Sequence, residues 1–447
     1  MEEYGQALLI DVATVVSCIA LLLRFGDLRF SHPATPYVVF HLHTVTVRLA
    51  GLMNGAPTLY STWLGSHEPV TAEEIARAAL YCDLAFLVVT LVWIFVRVSP
   101  RPGEPQRADA MRIDQRILRP VLLGAFVMGV LGLWLIKIPG VQSFEGMTPL
   151  SESNEWSSSS YLFILPTWFG LAVLGHIYYY GFRRWSGILL GIYLALMFLQ
   201  GGSRYRVVVG LVLAATIWVE RKNRRWPSKS MVLGFAGLAL LFFPMKTIGG
   251  MIQKGASVSE IYDAGFDEVT EASEGSAPDH MFLDEFACAL DLLDLHGKKY
   301  YGSLYLPLLT LPIPRAWWPD KPTLAPYVFD ISTTGRPMGA NGMITTYLGE
   351  SYANFGFAGI LLVPPVLAAL LAYFRRKAFT APSDSVLRFA YVLVSVNLIQ
   401  VYRDGLQSIV VFTFVNMMPL VIVVLAHLVF ANGRRSVFRS RFSPLPP

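Results

Sequence analysis

Long apolar runs alternate with short polar breaks along the whole chain, and the polar positions inside the runs are too sparse for amphipathic surface helices. The runs lie near 7–24, 36–53, 79–97, 119–138, 161–180, 186–200, 205–220, 231–248, 356–374, 388–402 and 407–430. Each is long enough to approach the thickness of a bilayer core. A backbone in hydrocarbon must satisfy its own hydrogen bonds, so the pattern predicts an all-α polytopic membrane protein of about eleven transmembrane helices. His41, His43 and Arg48 interrupt the second run, and Asn397 and Gln400 interrupt the tenth. No tandem repeat or separate soluble domain is evident, so residues 1–447 read as a single integral membrane domain.

The widest break, 249–355, falls between the eighth and ninth runs and is expected to be one large outside loop. Its 255–279 portion is polar and acidic. From Met281 to Leu295 apolar residues recur at helical spacing beside an acidic face, which predicts an amphipathic helix lying at the interface and stopped by Gly297. Residues 300–322 carry five prolines among tyrosines and tryptophans, which excludes a regular spanning helix. A partly re-entrant segment against the mouth of a cavity fits them better. The other outside segments are 54–78, 139–160 and two minimal hairpins at 201–204 and 403–406.

Composition supports the membrane reading: 54% of the 447 residues are hydrophobic and 15% charged, with mean hydropathy +0.49. The net charge of +5 does not imply nucleic-acid binding. The positive charge falls in alternate loops: Arg97 to Arg119, Arg183 and Arg184, Arg221 to Lys229, Arg375 to Arg388, and Arg434 to Arg441. The positive-inside rule makes these loops cytoplasmic, and with eleven spans it puts the N-terminus of this multi-pass protein outside and its C-terminus in the cytoplasm. Glu2 and Glu3 fit an outside start. They are not the basic region of a cleaved signal, so the first helix is expected to be retained. Cys18, Cys82 and Cys288 suggest neither a disulfide framework nor a metal quartet and read as small apolar fillers.

Two arginines stand out. Arg204, in Gly-Gly-Ser-Arg at 201–204, and Arg403, in Tyr-Arg-Asp-Gly at 402–405, each sit at the tip of a hairpin. The helices leading in, 186–200 and 388–402, are about 15 residues long, short of the ~20 that cross the hydrocarbon. Both arginines should therefore lie below headgroup level, on one side, in a vestibule. A planar guanidinium grips phosphate through two parallel hydrogen bonds, so two of them suit a pyrophosphate. The bland alternative is an arginine that snorkels from a helix end. Arg206 and the Ser203 hydroxyl are further candidate ligands. Arg48 is either a third cation or half of a buried ion pair, and Arg315 either meets the same ligand or a lipid headgroup. Asp404, Glu350 and His280 are candidate bases. Asp404 is equally placed to hold Arg403, while Glu350, Asp320, Asp284 and Glu285 also read as solvated surface charges. A lone histidine such as His280 is often structural. Trp317 and Tyr352 complete the candidate substrate contacts. Spacing along the chain offers no metal-ligand cluster and no phosphate-binding Gly-rich loop, so neither metal nor nucleotide cofactor is expected.

Gly-Gly-Ser-Arg at 201–204, Pro-Arg-Ala-Trp-Trp-Pro-Asp-Lys-Pro at 314–322, Gly-Glu-Ser-Tyr-Ala-Asn-Phe-Gly-Phe-Ala-Gly at 349–359 and an arginine between the last two helices together resemble the bacterial oligosaccharide repeat-unit (O-antigen) polymerases. The resemblance implies a GT-C-type glycosyltransferase of polysaccharide (lipopolysaccharide) biosynthesis, acting on undecaprenyl-pyrophosphate-linked sugars at the outer face of the inner membrane. It also implies that Arg204 and Arg403 contact the pyrophosphate, and that a chain-length regulator is a possible partner besides the lipid-linked oligosaccharide and membrane lipids. It supplies no general base. An O-antigen ligase shares this plan and chemistry. A lipid-linked oligosaccharide flippase or anion transporter is the alternative from another class, and it would place charges near the bilayer midplane on broken helices in inverted repeats.

Overall fold

Every apolar run overlaps a helix in the computed structural model, which describes residues 2–26, 28–58, 70–96, 115–135, 165–199, 204–242, 248, 251, 257, 259–260, 282–297, 299–310, 313, 317–318, 346–406, 408–409, 413 and 416–427. There is no strand among the described residues. The helices are α1 (Glu2–Phe25), α2 (Ala34–His41), a π turn (Leu42–Thr46) running directly into α3 (Val47–Met53), α4 (Ala72–Phe95), α5 (Gln115–Leu135), α6 (Leu165–Tyr180), α7 (Arg184–Leu199), α8 (Arg204–Arg221) and α9 (Lys229–Phe242). They continue with α10 (Phe282–His296), the short α11 (Leu306–Thr310), α12 (Thr346–Phe355), α13 (Phe357–Thr380) and α14 (Val386–Asp404), then α15 (Met418–His427). Five stretches among the described residues are long and apolar enough to cross a membrane: Glu2–Phe25, Ala72–Phe95, Ile117–Leu135, Phe357–Thr380 and Val386–Asp404.

Local chemistry sets the ends. The Thr71 hydroxyl accepts from the Glu74 N–H at 3.2 Å and the Glu74 carboxylate accepts from the Thr71 N–H at 2.8 Å, a reciprocal cap that starts α4. The Ser385 hydroxyl starts α14 in the same way, accepting from the Arg388 N–H at 3.2 Å. Gly405, at φ +88°, ends α14 in a conformation other residues adopt only with strain.

The side chains pack into two apolar clusters. One joins α1 to α4 with α10, α12 and α13, and the other joins α5 to α8. Helix α14 is the seam, because Phe389 to Val396 enter the second cluster whereas Leu398, Val401 and Tyr402 enter the first. Where α5 meets α6, a Cβ on Gly129 or Gly132 would run into Phe169 or Leu165, so glycine is what lets these helices approach.

Of the loops expected to be basic and cytoplasmic, the described stretches around 181–184, 221–229 and 375–388 gather at one end of the bundle. Arg388 pairs with Glu220 at 3.0 Å, and Ser31 donates to the same carboxylate. The Phe30 N–H donates to the Arg225 carbonyl at 2.9 Å. Tyr178 and Tyr391 donate to the Ser383 and Ser31 carbonyls at 2.6 and 2.8 Å.

Two expectations are corrected. Helix α10 does not lie on the surface. Phe282, Leu283, Asp284 and Phe286 to Leu290 are all buried, because the helix wedges against α4 and α12. The last helix before Arg403 is 19 residues rather than about 15, so Arg403 sits in its final turn and not at a loop tip. The segment 255–279 lies almost wholly outside the described residues. Of 300–322, a tight turn at Ser303–Tyr305 and α11 are described. Cys18, Cys82 and Cys288 are free and buried, as expected of fillers.

Candidate functional site

The end of α14 away from the Arg388–Glu220 pair holds three of the sequence candidates, Arg403, Asp404 and, from α12, Glu350. Helices α8 and α14 are packed neighbours, and the Arg388–Glu220 pair clamps the end of α8 to the start of α14. Arg204 is 16 residues before Glu220 and Arg403 is 15 residues after Arg388. At 1.5 Å per residue both lie roughly 23 Å from the clamp, at the same end of two antiparallel helices. The start of α8 and the last turn of α14 thus run toward the same end of the bundle.

Glu350 comes to this end from α12. Its Oε2 accepts from the Leu406 N–H at 2.7 Å, and a Cβ on Gly405 would collide with that same oxygen. The α14 terminus can therefore close over the carboxyl only with glycine at 405. The Glu350 residue is 3% exposed, so it is not the solvated surface charge that its sequence context allows. Its Oε1 is buried and has no hydrogen-bond partner. Burial pushes the carboxyl up from 4.5 to about 8, against the smaller opposing effect of the Leu406 N–H. Tyr305 lies close by, and burial followed by the Glu350 charge holds its phenol above the usual range.

Arg403 reaches away from Gly405 and stays partly exposed. Its guanidinium carbon lies 5.4 Å from the centre of the Phe282 ring, a cation–π contact that orients it without neutralising it. Its Nε is 3.6 Å from the Asp404 carboxylate, beyond hydrogen-bond reach, and Nε has no other acceptor. Asp404 accepts instead from the Gln400 amide. The result is a charged donor group with open valences and a partnerless buried carboxyl oxygen, held on the two sides of one glycine.

A second layer fixes these elements. Tyr347 of α12 donates to the Tyr37 hydroxyl of α2 at 2.7 Å, and the Tyr402 ring of α14 packs against Tyr37 with centroids 4.7 Å apart. The turn before α11 docks on α12 through the Gly302 N–H, which donates to Asn354 Oδ1 at 2.9 Å. Arg48 is half of a buried ion pair, as one of its two sequence readings had it. It donates to both Asp284 oxygens at 2.8 and 2.6 Å, and both side chains are 0% exposed. That corrects the reading of Asp284 as a surface charge. Breaking such a pair leaves one charge buried alone and costs about 3–5 kcal/mol. Asp284→Asn is expected to lower the Tm of the detergent-purified protein sharply, and replacing both Arg48 and Asp284 by apolar residues should restore most of it. A double variant no more stable than the single one would contradict this.

The remaining candidates are placed less centrally. Tyr352 donates to Asp294 at 2.6 Å, and Asp294 in turn pairs with Arg77 at 2.9 Å. Trp317 is 81% exposed. Ser203, His280, Arg315 and Asp320 lie outside the described residues, and of Arg204 and Arg206 only the backbone is described. Spacing along the chain missed a further group, because three different helices assemble it: Asp11, His41 and Asp83, all buried, with one ligand atom each within 4.8 Å of the others. The signal available was one titratable residue four or five positions into each of three apolar runs.

No protein-family model, curated protein or solved structure matches this chain.

Proposed function

We propose that the protein is a membrane glycosyltransferase that polymerises undecaprenyl-pyrophosphate-linked oligosaccharide repeats at the outer face of a bacterial inner membrane. Its spans would then be about eleven, with the Arg204–Arg403 end outside. The observation that supports the reading is that Arg403 and the buried Glu350 carboxyl flank Gly405 at the end of α14 away from the Arg388–Glu220 clamp, toward which the start of α8 also runs. In the proposed reaction the bond from the donor sugar's anomeric carbon to the pyrophosphate oxygen breaks. A bond from that carbon to an acceptor sugar hydroxyl forms. Negative charge collects on the departing pyrophosphate, which needs no general acid. Arg403 and Arg204 stabilise it, a task worth ~3–4 kcal/mol for one fixed donor. Glu350 takes the hydroxyl proton, and a carboxyl titrating near the working pH suits that role. Asp404 accepts from Gln400 through one oxygen and has the other 3.6 Å from Arg403 Nε, which suits the role of holding that arginine.

Purified protein given a defined lipid-linked repeat and no nucleotide sugar should produce a ladder of longer lipid-linked glycans. Failure to extend the repeat while extending a lipid A core acceptor would point to the ligase. One observation favours a flippase or transporter: Asp11, His41 and Asp83 place charge deep within apolar helices. Movement of the lipid-linked repeat across vesicles without extension would support that reading.

Sidedness is a separate expectation. Cysteines introduced at 403–406 should react with impermeant reagents added outside in intact cells. Cysteines at 221–229 should stay unlabelled in intact cells. Outside labelling of 221–229 would overturn the orientation.

A further inference from the structure

Asp11, His41 and Asp83 meet at mid-depth of α1, α2 and α4. Asp11 is nine residues into α1 and Asp83 eleven into α4, roughly 14–17 Å from the helix starts at 1.5 Å per residue. That is about half of a ~30 Å hydrocarbon core. His41 Nε2 lies 2.8 Å from Asp11 Oδ1 and 3.2 Å from Asp83 Oδ1, and all three side chains are nine-tenths or more buried. Asp11 Oδ2 and Asp83 Oδ1 have no hydrogen-bond partner. One imidazole N–H serves Asp11 Oδ1 and leaves those two oxygens without a partner.

Electrostatics narrows what completes the cluster. Two ionised carboxylates with a neutral imidazole would carry two negative charges at an apolar level of the bundle, which calls for a counter-charge, either protons or a cation. One divalent cation cancels that charge and gives the partnerless oxygens a partner. The spacing fits as well: a tetrahedral ion with ligands at about 2.0–2.1 Å has ligand–ligand edges of about 3.3 Å. One imidazole and two carboxylates are a donor set for zinc-class transition metals. Calcium and magnesium favour all-oxygen shells of six or more ligands.

The backbone is adapted to this placement. His41 and Arg48 are seven residues apart, so on an uninterrupted helix they would share a face. The π turn at Leu42–Thr46 between them adds about one residue and rotates the later one by about a quarter-turn. His41 is thereby turned toward Asp11 and Asp83 while Arg48 turns toward Asp284.

We propose that Asp11, His41 and Asp83 form an intramembrane site for one divalent transition-metal ion of the zinc class, which ties α1, α2 and α4 together. The site is independent of the glycosyl-transfer reading, and its test does not use activity. Full-length protein is expressed in medium supplemented with cobalt(II), a spectroscopic stand-in for zinc, and purified in detergent with free metal removed. About one cobalt per chain is expected, with the intense visible absorption of a four-coordinate ion, and growth in zinc should replace cobalt with zinc at the same stoichiometry. Asp11→Asn, His41→Gln and Asp83→Asn, which nearly keep side-chain size, should each retain at least tenfold less metal while eluting as the wild type does. Wild-type protein without cobalt above a detergent blank, or with only six-coordinate absorption, would overturn the proposal whether or not the variants fold. Variants that keep the wild-type metal content would also overturn it and leave a proton-sharing triad as the structure of the cluster.

Discussion

Glu350→Gln is expected to lower kcat for polymerisation at least about 100-fold with normal expression, since a positioned general base contributes about 10²–10⁴. Glutamine can still accept from the Leu406 N–H through its carbonyl oxygen. A residue that merely latched the end of α14 would therefore tolerate the change, whereas a base would not. The pH profile separates the two roles further. In the wild type kcat/KM should rise with pH and reach half its plateau near pH 8, the value to which burial raises this carboxyl. The variant should lack that limb. The same shift has a stability consequence of definite sign. The folded state holds the Glu350 proton more tightly than the unfolded chain does. The resulting stabilisation is complete below the ordinary value of 4.5 and is lost as pH rises toward about 8. Thermal unfolding of Glu350→Gln should show less of that decline. Near-normal activity of the variant with an unchanged profile would remove Glu350 from the chemistry.

Arg403→Lys and Arg204→Lys are expected to lose at least about tenfold in rate each, or about 1.4 kcal/mol, because lysine keeps the charge and loses the planar fork. Alanine at either position should cost about 10²–10³, the range for losing one donor to a developing anion. The double lysine variant should lose less than the product of the single losses, since both groups serve one leaving group. Helix-end arginines that only snorkel would accept lysine without loss. Gly405 belongs to the same unit. Gly405→Ala would strain a backbone at φ +88° and push a methyl group into Glu350, so it should disturb the base and Arg403 together.

The helices were legible because apolar periodicity is a local signal, and the described basic stretches around 181–184, 221–229 and 375–388 do share one end of the bundle. Two similar hairpins suggested that Arg204 and Arg403 share one end, and the start of α8 and the last turn of α14 do run toward the same end. Sequence patterning misplaced the helix at 282–296. Its acidic face looks solvated until Arg48, 236 positions earlier, supplies the partner that lets Asp284 be buried. Glu350 gave the same false impression, because its burial depends on Gly405 closing over it from another helix. The Asp11, His41 and Asp83 cluster was hidden for a related reason: each residue alone reads as one tolerated polar break in an apolar run, and only packing puts them within reach of each other.

The most direct measurement is the stoichiometry of the leaving group. Purified protein in liposomes, supplied only with a lipid-linked repeat, should release one undecaprenyl pyrophosphate for each new glycosidic bond, and the Arg403→Lys variant should slow both in equal measure. Bonds formed without release of undecaprenyl pyrophosphate, or release without bond formation, would contradict the proposed role of the arginines.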